Sequence, residues 1–192
     1  PIAKWNLARF AECLIPLIDK NEDQAIKTAT QIIDNFQTIY EQKWLDMMKS
    51  KLGLIGDNKD DLKLINSLLN WMEKSKADYT NTFCYLMDMP IKDEIYNDKR
   101  FIEWVQAWNN RSTLNNSNKE NQFQFMKKVN PVIIPRNHKV EAALSDANKN
   151  NYETLYKLLS VIQNPYNPKV DVLEYQSPAP ESKEKYQTFC GT

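Results

Sequence analysis

The chain has 192 residues, enough for one sizeable core or two small ones, and its 25 Lys and Arg balance 25 Asp and Glu. With no net charge, no global field draws in nucleic acid or an anionic membrane, and neither is expected as a partner. The three glycines, Gly53, Gly56 and Gly191, leave no phosphate loop of either common Gly-rich spacing, and the three cysteines contain no C-x-x-C pair, so neither a disulfide framework nor a zinc site is expected.

Helical periodicity runs through nearly everything before residue 164, which predicts an all-α body of about eight helices over residues 1–163. The first helix is expected from Ala3 to Ile18, with Pro16 bending or ending it. A long second helix is predicted from Glu22 to Leu52, where Ile26, Ala29, Ile33, Phe36, Tyr40, Trp44 and Met47 recur at three- and four-residue steps. Gly53 stops it, because glycine tolerates the left-handed conformation at a helix end. A third helix spans about Asp60 to Lys74, its first-turn acids matching the positive end of the helix dipole. Asp78 reads as the N-cap of a fourth, through Tyr79, Phe83 and Leu86 to Met87. A fifth covers about Asp98 to Asn109. The polar stretch RSTLNNSNKENQ reads in its middle as an exposed loop.

The sixth helix, Lys119 to Val129, stops at the Asn130-Pro131 step. A seventh near Arg136 to Ala147 and an eighth from Tyr152 to Gln163 form a pair joined by NKNN. From Asn164 the composition changes, with four of the nine prolines and few apolar residues. Residues 164–192 are therefore expected as an extended Pro-rich tail that builds no core of its own and ends near Cys190.

Candidate chemistry is sparse. His138 is the sole histidine and has no cysteine or carboxylate beside it, so a helix-start surface or hydrogen-bonding role outweighs a ligand role. Asp60-Asp61 and Asp88 offer carboxylates, but helix-terminal acids follow from the dipole alone. Trp44, Trp71 and Trp104 fall at helical spacing with Leu, Ile and Met and read as core rather than as a base-stacking platform, which would need a basic groove. Cys13 and Cys84 lie among apolar positions and read as buried, inert thiols. In NPVIIPRNHKVEAAL two prolines bracket an apolar connector and place Arg136 and Asn137 at a helix start. Arg136, with Asn137, is expected as a structural clamp on carbonyls or a carboxylate. Cys190 sits in YQTFCGT, at the end of a tail too polar and Pro-rich to bury it, and is the redox candidate.

No run of about 18 apolar residues occurs, and residues 1–18 lack the features of a signal peptide. The chain reads as cytoplasmic by default, with an organelle as the alternative. It starts at Pro1 rather than Met, which reads as a piece of something longer.

Taken in order, WNLARFAECLIPLI (5–18), KLGL (51–54), DYTNTFCYL (78–86), VNPVIIPRN (129–137), LYKLLSVIQNPY (155–166) and the cysteine near the end resemble the C-terminal part of the selenoprotein O (SelO, YdiU) family. The resemblance implies a kinase-like parent that transfers AMP from ATP to protein hydroxyls with Mg2+. It also implies that the nucleotide-gripping residues, the catalytic Asp and a D-[FY]-G metal motif lie upstream. No catalytic, cofactor or metal residue is therefore nominated here, and ATP and Mg2+ are expected for the parent alone. Family members commonly end in C-S-S or C-x-C-like tails where this chain has Phe-Cys-Gly-Thr, and Pro135 stands where the family's NP…LRN motif has Leu. The expected role is a helical region bracing the kinase-like N-terminal part of the same polypeptide, with protein substrates as the parent's partners. The rival is a free-standing all-α interaction module without activity; a redox domain in its own right would need a second accessible thiol.

Overall fold

A computed structural model describes residues 1–113, 118–167 and 173–180. It is all-helical, with no strand among the described residues. The chain divides into two compact units, Pro1–Lys49 and Ser50–Thr192.

The first unit holds α1 (Ile2–Ile18), α2 (Glu22–Asp34) and most of α3 (Phe36–Lys51). Pro16 does not end α1, which runs two residues past it. Asn21 caps α2 by accepting from the Gln24 N–H, and Glu22 and Asp23 occupy the first turn, where the dipole favours carboxylates. The expected long helix is broken at Asn35, a turn residue between α2 and α3. Apolar spacing continues across it, but asparagine competes locally for backbone hydrogen bonds and favours such breaks. α1 and α2 pack together around a cavity of about 920 Å3 whose apolar lining includes Ala8, Ala11, Ile15, Ile26, Ala29 and Ile33. Lys4 reaches Asp34 at 3.2 Å, joining the start of α1 to the end of α2.

The second unit contains α4 (Asp61–Ser75), α5 (Tyr79–Leu86), a 3-10 turn (Glu94–Asn97), α6 (Lys99–Thr113), α7 (Lys119–Val129), α8 (Asn137–Ala147), α9 (Glu153–Ile162) and the single turn α10 (Leu173–Gln176). Leu52, Ile65, Leu68, Phe83, Phe101, Met126 and Ile133 are almost wholly buried. Each such side chain contributes about 1.5–3 kcal/mol on leaving water. Trp71 stacks on Phe101 with centroids 4.3 Å apart, and Tyr85 on Tyr96 at 4.2 Å. Trp71 and Trp104 are core, whereas Trp44 is only partly buried.

Several expectations change. α6, expected to end near Asn109, runs on to Thr113, and Arg111 and Ser112 within it are buried. Cys13 is exposed, while Cys84 is buried as expected. The stretch after Asn164, expected to be extended, contains the helical turn α10, whose Gln176 is buried. The break at Asn35 and this turn bring the helical segments among the described residues to ten α and one 3-10.

Candidate functional site

The buried loop after α3 is the floor of a polar centre in the second unit. A helix leaves its last carbonyls without intrahelical partners, and a buried carbonyl must find a donor. Side chains of α6 and α7 and the residue after α7 supply them. Asn130 Nδ2 donates to Lys51 O at 2.8 Å, and Trp108 Nε1 and Gln122 Nε2 donate to Leu52 O at 2.9 and 3.2 Å. Arg111 Nη2 donates to Ile55 O and Gly56 O, both at 3.2 Å. The same guanidinium holds Asp61 through Nε at 2.6 Å and Nη2 at 3.1 Å, with side-chain exposures of only 8% and 2%. Asp61 is thus an arginine partner rather than half of a carboxylate pair. The Asp61–Arg111 pairing was missed from sequence: it joins residues 50 positions apart, and only the sequence's Arg at the end of an apolar-periodic run hinted at burial.

Beside this floor, Asp78 caps α5 by accepting from the Asn81 N–H at 2.8 Å. Arg136, at the N-cap of α8, grips the same carboxylate with two parallel bonds, Nη1 to Oδ2 at 2.6 Å and Nη2 to Oδ1 at 3.0 Å, and Nη2 also reaches Asn81 Oδ1 at 3.3 Å. Bidentate charge-assisted bonds of this kind fix geometry as well as energy. The connector 131–135 allows it: its prolines keep the chain extended, Val132 and Ile133 anchor it in the core, and the Val132 N–H donates to Pro165 O at 2.7 Å. Asn137 opens α8 on the exposed side, and His138 is half-buried in the same turn.

Charge in this centre is structural. Burial raises the Asp78 carboxyl, but hydrogen bonds from Arg136 and the Asn81 N–H outweigh it and hold the group below its ordinary value. Burial lowers Lys51, whose ammonium lies 4.5 Å from the Phe83 ring centroid. Burial first, then Asp78, pushes the Cys84 thiol up to about 11, so it is neither a ready nucleophile nor a ready exchange partner. Burial and the neighbouring Lys139 and Arg136 lower His138. Cys190 lies outside the described residues.

Among the described residues no group of three or more His, Cys, Asp or Glu gathers as a metal site, and no helix is long and apolar enough to cross a membrane. Asp61, buried, and Asp78, partly buried, are each paired with an arginine.

KLGL, DYTNTFCYL, VNPVIIPRN and QNPY therefore converge on one scaffold of hydrogen bonds. The family model described as "Protein adenylyltransferase SelO" matches residues 1–163. Proteins named "Protein nucleotidyltransferase YdiU" are similar along the full chain. That of Pelagibacter ubique is 52% identical over 192 residues, which is 40% of its length. Those of Nitrosococcus oceani and Brevibacillus brevis are each 43% identical, with 39% of their length covered. The chain spans about two fifths of the length of these curated relatives, and it belongs to the protein adenylyltransferase SelO family.

Proposed function

We propose that this chain is the non-catalytic C-terminal helical region of a SelO-family protein adenylyltransferase and braces the kinase-like part of the same polypeptide. In this reading the parent works in the cytoplasm and transfers AMP from ATP, with Mg2+, to Ser, Thr or Tyr hydroxyls of proteins, through residues outside this chain. One observation carries the bracing role: α1 is rich in apolar residues yet buries none of them. Its Ala8, Ala11 and Ile15 face α2 across the cavity, while Phe10, Cys13 and Leu17, at helical spacing on the opposite side, are exposed, Phe10 at 62% and Leu17 at 81%. A contiguous apolar stripe on an amphipathic helix marks a contact surface.

Phe10→Ser with Leu17→Ser in the full-length protein tests this reading. The expected result is a lower melting temperature of the catalytic part and reduced incorporation of labelled AMP into protein. Unchanged melting and transfer would favour the free-standing interaction module.

The tail thiol is part of the same proposal. Cys190 pairs with a cysteine in the catalytic part, the two thiols giving up two protons and two electrons to oxidised glutathione as the S–S bond forms. The low reactivity of buried Cys84 supports a partner elsewhere. Cys13, exposed contrary to expectation, is the competing partner within this chain. Peptide mapping of the oxidised full-length protein should recover Cys190 linked upstream of residue 1; a Cys13–Cys190 link would contradict it.

A further inference from the structure

A four-residue turn does not hold itself together in water, since one helical turn fixes several residues for a single hydrogen bond. α10 is nevertheless formed, and the contacts that hold it come from the wall built by α5, the 131–135 connector and α8. Gln176 is the seat of the attachment, at 4% exposure. Its Nε2 donates to Val132 O at 3.3 Å, and its backbone carbonyl accepts from Asn81 Nδ2 at 3.2 Å. Asn81 offers that donor because its Oδ1 faces Arg136, so the Asp78–Arg136 pair sets which end of the amide points to the turn. At the rim, Lys139 Nζ pairs with Glu174 at 2.8 Å and lies 5.6 Å from the Tyr175 ring centroid.

We infer that this wall is a binding site for a short acidic helical turn ending in glutamine, and that its resident ligand is Leu173–Gln176 of the chain's own tail. The chemistry matches at each point. A buried carbonyl and a preset amide donor read the glutamine side chain and the turn's last carbonyl. Lys139 reads Glu174, two residues before the glutamine. Gln176 is the anchor and Arg136 a positioning residue that acts through Asn81. The consequence concerns the tail as a whole: with Gln176 seated, Cys190, fourteen residues further on, has a contour reach of no more than roughly 50 Å from that point. The latch thereby limits which thiols the tail meets.

The energetic ranking is specific. A neutral hydrogen bond is worth up to about tenfold in an equilibrium, whereas an ion pair as exposed as Lys139–Glu174, with Glu174 at 72%, is worth at most a few-fold. Hydrogen–deuterium exchange on the full-length protein reads this directly. Residues 173–180 are expected to exchange more slowly than the same sequence as a free peptide. Gln176→Ala should raise their exchange about tenfold, and Gln176→Glu, which keeps the shape but turns an acceptor toward Val132 O, should raise it at least as much. Peptides of α5 and α8 should keep wild-type exchange in both variants, and Lys139→Ala should have a smaller effect than either. The inference is overturned if 173–180 exchange like the free peptide in the wild type, if both Gln176 variants match the wild type, or if Lys139→Ala opens the turn more than Gln176→Ala.

Discussion

Arg111 and Arg136 perform the same kind of task at different depths, and the difference sets what their loss costs. Asp61 is 2% exposed and Asp78 22%, so stripping Arg111 strands a charge that water cannot reach. Arg111→Ala is expected to cost about 3–5 kcal/mol. Arg136→Ala is expected to cost about 1.5–3 kcal/mol. Urea unfolding of both variants checks the order as well as the size. Asp78 also makes stability depend on pH. Its folded pKa lies below the ordinary 3.8, so the contribution of the pair is complete above that value and is lost as pH falls through the lower folded pKa. Urea titrations from about pH 5 to about pH 2 should show a steeper loss in the wild type than in Asp78→Asn. Arg136 was legible in the sequence because two prolines isolate it at a helix start. Arg111 was not, because it borders an Asn-rich run and its partner is 50 residues away.

At the scale of elements, caps and stops were the most readable features. Asp78 caps α5, α7 spans Lys119–Val129, and Gly53 closes the turn after α3 with φ of +63°. Local chemistry dictates all three. Gly53 is doubly constrained, since a Cβ there would lie 2.5 Å from Gln122 Cγ and 2.9 Å from Met126 Cγ. Gly53→Ala should therefore destabilise the protein by more than about 1 kcal/mol, seen as a lower denaturant midpoint with unchanged slope. The break at Asn35 escaped because the apolar spacing of Ile33, Phe36 and Tyr40 is the same on either side of it. α10 escaped for the opposite reason: four residues carry no period, and their helical form is imposed by Asn81, Val132 and Lys139.

At the scale of the whole molecule, an all-α architecture follows from periodicity, but periodicity does not tell which apolar faces are covered by the chain itself. Cys13 shows this. Its place among the apolar positions Leu14 and Leu17 suggested burial, yet it lies with Phe10 and Leu17 on the side facing away from α2 and is exposed. The bracing account makes that side the seat of the parent's catalytic part, and Cys13 becomes its natural reporter, with buried Cys84 as the unreactive reference. The most direct measurement is the rate of iodoacetamide alkylation at Cys13, mapped by peptide mass, in residues 1–192 alone and in the native full-length protein. The account predicts rapid labelling in the chain alone and labelling slowed by about a hundredfold or more in the full-length protein, as burial of a thiol demands. Equal rates in the two would contradict it.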